Sequence, residues 1–194
     1  DDLISSTNFL DYMNQALVFY EKNEKVFSIS GYTLSLPSLS NYSKDFYLGY
    51  RASSWGWGTW LNRWEIIDWG VKDYQKFKWN LISNIKFMRG GSDLPLMLYR
   101  QMNGKIDSWA IRWCFHQFKN DLLTVNPTKS KIMSIGFGET ATHTKTNDRF
   151  ETDLDYTNKQ TFNFEDSLNI DKMLVKEFRD KFSFIKRIKT KLKI

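Results

Sequence analysis

"KVFSISGY" (residues 25–32) reads as a buried strand ended by Gly31. The residues before it keep a different period. Phe9, Leu10, Met13, Ala16, Leu17 and Tyr20 recur at three- and four-residue spacing, which predicts a helix over 7–21 with Ser6 or Thr7 as its cap. The pattern continues outward. "TLSLPSLSNYSKD" (33–45) is a loop holding Pro37, a helix runs through Trp60 and Trp64, and another spans 71–87. "RGGSDLPLML" (89–98) is a Gly-Gly turn and a helix start with Asp93 near its N-terminus. "IDSWAIRWCFHQF" (106–118) is a helix entered at Asp107 or Ser108, and "LLTV" (122–125) is a short strand closed by Pro127. "IGFGETATHT" (135–144) is a Gly- and Thr-rich loop. No internal repeat interrupts this order.

At 194 residues and 41% apolar composition, the chain can bury a core and is neither disordered nor a membrane bundle. No apolar run approaches the roughly 20 residues of a spanning helix. The chain opens at Asp1-Asp2 without a Met or a signal peptide and reads as a piece of a longer protein. Its single Cys114, between Trp113 and Phe115, is read as a buried structural thiol, and it excludes an internal disulfide framework. The net charge of +6 lies in the tail: residues 171–194 hold nine Lys/Arg against three Asp/Glu, so the first 170 balance at 19 against 19. A body without a basic cluster argues against nucleic acid as a partner.

"SSWGWGTW" (53–60) packs three tryptophans and two glycines into eight residues. All eight Trp fall between Trp55 and Trp113, which suits a single aromatic core; the interleaved Gly56 and Gly58 suit close backbone approach to a ligand, and Trp faces stack on sugar rings. Adjacent Asp1 and Asp2 can hold a hard divalent cation with phosphate oxygens completing its shell, or can be a solvated pair before a helix. Asp107, beside Trp109 and Arg112, is either a desolvated general base or a helix cap. His143, in a small-residue loop, can ligate metal or lie free on the surface; His116, on an apolar helix face, is read as structural.

Taken in order, "DDLISSTNFLDYMNQAL", "VFSISGY", "SSWGWGTW", "GGSDLPLML", "GKIDSWAIRW" and "IGFGETATHT" resemble bacterial GT-A glycosyltransferases, most closely the branch related to N-acetylglucosaminyltransferase I. The resemblance covers about residues 1–145. It implies an α/β fold with a mixed sheet and flanking helices, of which this chain holds the acceptor-side half; the nucleotide-binding half would lie upstream. It implies that "DDL" ends the family's acidic triplet, so that Asp2, with Asp1 beside it, binds Mn²⁺ or Mg²⁺ under the donor diphosphate. His143 is a weaker third ligand. Asp107-Ser108-Trp109 matches the element carrying the catalytic base. Donor and acceptor contacts would come from Gly31 and Tyr32, from Trp55, Gly56, Trp57 and Gly58, from Asp93, and from Trp109 and Arg112.

The implied activity is inverting transfer of a sugar from a nucleotide sugar, UDP-sugar foremost, to a hydroxyl of a glycan or glycolipid. A carbohydrate-binding module without catalysis is the alternative. Residues 1–145 form the catalytic half, 146–170 a polar acidic linker or arm, and 171–194 a basic amphipathic helix. In that helix Leu174, Phe178, Phe182, Ile185, Ile188 and Leu192 share one face, which suits either contact with an anionic membrane surface, and so a cytoplasmic protein peripheral to the inner face of the membrane, or packing against the chain's own domain.

Overall fold

Residues 2–136, 150 and 152–183 are described by a computed structural model. Asp1, His143 and the distal tail positions Ile185, Ile188 and Leu192 fall outside them. The elements run β1 (Leu3–Ser5), α1 (Phe9–Tyr20), β2 (Val26–Ser30), β3 (Phe46–Gly49), β4 (Trp57–Gly58), α2 (Leu61–Glu65), α3 (Tyr74–Lys78), α4 (Leu81–Phe87), α5 (Leu94–Met102), α6 (Trp109–Lys119), β5 (Leu123–Pro127), β6 (Ile132–Ser134) and α7 (Lys172–Lys181).

The fold is mixed α/β. A four-stranded sheet has the order β3-β5-β2-β4, in which β2 and β5 are parallel and the outer pairings antiparallel. β1 and β6 form a separate antiparallel pair. Every residue of β2 and β5 is buried, as expected for central parallel strands with both faces covered. α1 covers the sheet with Tyr12, Met13, Ala16 and Tyr20, which meet Val26, Ile29, Phe46, Leu48 and Val125. A second core joins Tyr74, Phe77, Phe87, Leu94, Leu98, Ile111 and Phe115 among α3 to α6. Buried Arg63 of α2 donates to the carbonyls of Tyr20, Glu21 and Asn23, supplying the C-terminal end of α1 with partners from a distant helix.

Several expectations change in detail. Neither Ser6 nor Thr7 caps α1: Asn8 takes the position, and the Ser6 hydroxyl donates to the Asn8 side chain at 2.8 Å. The predicted helix over 71–87 is two helices, because Asn80 stops the first and caps the second by accepting from the Ser83 amide at 2.9 Å. Residues 152–170 contain no helix or extended strand, yet they pack as an arm. Phe162 is buried against Tyr12, and Phe164 touches Tyr20 and Phe46. Gln15 clasps the same stretch from α1, donating to the Gln160 carbonyl and accepting from the Phe162 amide.

One buried ion pair anchors the arm. Asp155 bonds Lys131, Asn8 and Thr157. Burial alone would raise the Asp155 pKa; these hydrogen bonds outweigh it and hold the carboxyl well below the usual range.

Over its described part the tail takes the second of its two readings and packs on the chain itself. α7 ends at Lys181, and its apolar face is not available to a membrane. Leu174 and Phe182 are buried against the cluster of Tyr32, Leu34, Leu36 and Tyr47, and Glu177 accepts from the backbone and hydroxyl of Ser38. No helix among the described residues is long and apolar enough to cross a membrane.

Candidate functional site: an aromatic cleft at the strand ends

The C-terminal ends of β2 and β5 open into a cleft of about 270 Å³. Open α/β sheets place ligands at this edge, where loops leave the strands and side chains from distant segments can converge. Tyr32, Thr33 and Leu34 enter it directly after β2, and Asn126 from β5. Trp55 forms one wall. Its ring meets Tyr32 edge-on at 4.7 Å and Phe150 at 5.7 Å, while the Tyr32 hydroxyl donates to the Phe150 carbonyl. Ser108 and Ile111 come from the start of α6, Phe178 from α7 and Phe182 from the residue just after it.

The charged residue lining the cleft is Arg51, among the polar Thr33, Ser53, Ser54, Ser108 and Asn126. It donates to both oxygens of Asp93, at 2.8 and 3.1 Å, and lies 4.1 Å over the Phe182 ring. The "RGGSD" turn is shaped around this pair. Gly91 has φ +136, and a Cβ there would fall 2.6 Å from both Arg51 Nη1 and Asp93 Oδ1. Asp93 therefore stands at the helix start but makes no capping bond; its carboxylate is held by Arg51 instead.

The Trp-rich loop divides between two regions. Trp57 faces away from the cleft, stacks on Trp109 at 4.9 Å and meets fully buried Trp113 edge-on at 5.0 Å. The glycines approach protein, not open space. Gly31 donates its amide to the Gly56 carbonyl at 2.6 Å. A Cβ on Gly56 would lie 2.4 Å from Ile132, and one on Gly58 3.2 Å from Met13. Both core packing and a ligand wall are thus present in "SSWGWGTW", carried by different tryptophans.

Asp107 differs from its expected setting. Its side chain is 95% exposed and pairs with Arg112 at 3.2 Å; the aromatics do not wall it. Gly104, in the left-handed region, turns the chain after α5, and Asp107 faces solvent; it does not line the cleft, and nor do Trp109 and Arg112, whereas its neighbour Ser108 does. Ser108 is the cap residue of α6, and its amide is fixed by Gln101 Oε1 at 2.6 Å.

Asp2 lies just before β1 and is exposed. Its carboxyl rests against Gly136, where a Cβ would be 3.2 Å away, and its carbonyl accepts from Ile135. Among the described residues no three His, Cys, Asp or Glu cluster as a metal cage. A single exposed carboxylate fits a hard cation of the kind that takes most of its oxygens from phosphate and water. His116 stacks on Phe27 at 5.3 Å, and burial lowers its pKa, in keeping with a structural role. Burial pushes the Cys114 thiol up, in keeping with a buried structural thiol.

Arg51, Asn126, Phe178 and Phe182 line the cleft without a motif that marks them as ligand contacts. Phe178 and Phe182 carry a sequence signature, their shared amphipathic face, which by itself fits a membrane or the chain's own domain equally. No protein-family model, curated protein or solved structure matches the chain.

Proposed function

We propose that the cleft binds a sugar ring and that this chain carries the acceptor side of a metal-dependent, inverting GT-A-type glycosyltransferase using a nucleoside diphosphate sugar. One observation carries the reading. Trp55 and Tyr32 form an aromatic wall beside a fixed Arg51–Asp93 pair and the start of α6, all at the C-terminal ends of the two parallel strands. Sugars need this combination: an apolar face for ring C–H groups and rigid polar groups for hydroxyls. The mixed sheet with flanking helices is compatible with such an architecture.

In this scheme the acceptor lies against Trp55 and points a hydroxyl toward Asp107. The Asp107 carboxylate takes the hydroxyl proton while the oxygen attacks the anomeric carbon. The bond from that carbon to the diphosphate breaks on the opposite face, so configuration inverts. Arg112, bonded to Asp107 Oδ1, orients the carboxylate. A divalent cation held at Asp2 would supply charge neutralisation to the leaving diphosphate. The exposure of Asp107 favours a second reading, saccharide binding without catalysis.

Saturation-transfer NMR with a glycan panel, run beside transfer assays with nucleoside diphosphate sugars and Mn²⁺, tests both. Trp55→Ala should weaken saccharide binding about two- to tenfold, the loss of one stacking face. Saccharide binding without transfer would select the second reading. Absence of both, or binding untouched by Trp55→Ala, would contradict the site itself.

A further inference from the structure

The helix–turn–helix α3–α4 is turned inside out. A surface helix normally buries its apolar stripe and shows its polar one. In α4, Leu81, Ile82 and Ile85 lie on one face at three- and four-residue spacing and are 73%, 68% and 58% exposed. Ser83 and Asn84 are less exposed than these apolar neighbours, and Asn84 donates inward to the Phe77 and Asn80 carbonyls. Trp79, in the turn, is 83% exposed with Lys78 beside its ring at 5.0 Å. The core side is already served by Phe77 and Phe87, so the outer stripe has no packing duty.

The charge around this stripe identifies its partner. Residues 74–92 contain Lys76, Lys78, Lys86 and Arg89 and no acidic residue. The three lysines are exposed. We propose that the α3–α4 face docks on an anionic membrane surface, with Trp79, Leu81, Ile82 and Ile85 entering the headgroup region and the lysines meeting lipid phosphates. An exposed Trp next to aliphatic side chains, ringed by lysine, has the chemistry of an interfacial anchor. A second copy of this chain fits poorly, because a twofold contact would bring the same lysines together. None of these residues lines the cleft.

The test is cosedimentation of the full chain with vesicles of mixed phosphatidylglycerol and phosphatidylcholine, and with phosphatidylcholine alone. Two variants are compared, Trp79→Ser/Ile82→Ser/Ile85→Ser and Lys76→Gln/Lys78→Gln/Lys86→Gln. All six positions are exposed, so both should melt like wild type. Wild type should bind the anionic vesicles and not the neutral ones. Each lysine removed should weaken binding about fivefold, and the apolar variant should lose it. Anionic-vesicle binding that survives the apolar substitutions would overturn the proposal. So would wild type that ignores vesicles, or that instead self-associates or captures an acidic protein through the same residues.

Discussion

Trp55 and Trp57 stand two residues apart in one loop and belong to two different regions. Trp55 lines the cleft, partly exposed, with a ring edge toward Tyr32. Trp57 belongs to a stacked aromatic block with Trp109 and Trp113. In an extended strand residues i and i+2 would share a side. Gly56, at φ +52, breaks that alternation and sends the two rings apart. The cleft and the block thus meet at one left-handed glycine, where function and packing are separated by a single backbone choice.

This division can be broken most forcefully from the block. Trp113→Ala removes a fully buried ring and should cost about 3–5 kcal/mol, read by denaturant unfolding, whereas Trp55→Ala should cost about 1–2 kcal/mol, the worth of its ring contacts. Equal costs would mean that the two tryptophans do not differ in role. Gly56→Ala comes next. Its Cβ would strike Ile132 in a backbone conformation that favours glycine, for a loss of about 2–4 kcal/mol. A melt within a degree of wild type would show that the loop does not depend on that geometry.

The arm supplies a pH-dependent effect. Asp155 has a depressed pKa in the folded chain, so the unfolded chain binds more protons as pH falls. Its contribution is fully present above the ordinary aspartate pKa of about 4 and is lost as pH drops below it. Unfolding free energy measured from about pH 5 to pH 3 should therefore decline more steeply in wild type than in Asp155→Asn. Parallel slopes would remove the Lys131–Asp155 pair from the account.

The strong periods were legible. α1, β2, α6 and β5 appear where the spacing of Phe9 to Tyr20, the run Val26–Ser30, and the stretches from Ser108 and Leu123 put them. β1, β4 and β6 are two or three residues long, too short to show a period, and exist only through their partners. β3 depends on β5 in the same way. Arg51 could not be assigned from sequence because its meaning lies 42 positions away in Asp93. The basic face around α4 was hidden for another reason. Lys76, Lys78 and Lys86 are spaced apart in a body whose total charge balances, and the turn at Asn80 puts them beside exposed apolar residues. The tail shows the converse: the amphipathic pattern is legible, but over its described part, up to residue 183, only the structure shows that this face packs on the protein's own cleft-side cluster.

Asp107 joins the smallest expected effect on stability to the largest on function. Its side chain is 95% exposed, so Asp107→Asn should leave the melt within about 0.5 kcal/mol of wild type. In single-turnover sugar transfer by the protein containing this chain, the same substitution should cost about 10²–10⁴ in rate, because asparagine cannot take the acceptor proton. That rate loss with an unchanged melt is the predicted result. A near-normal rate would contradict the assignment of Asp107 as the group that activates the acceptor hydroxyl.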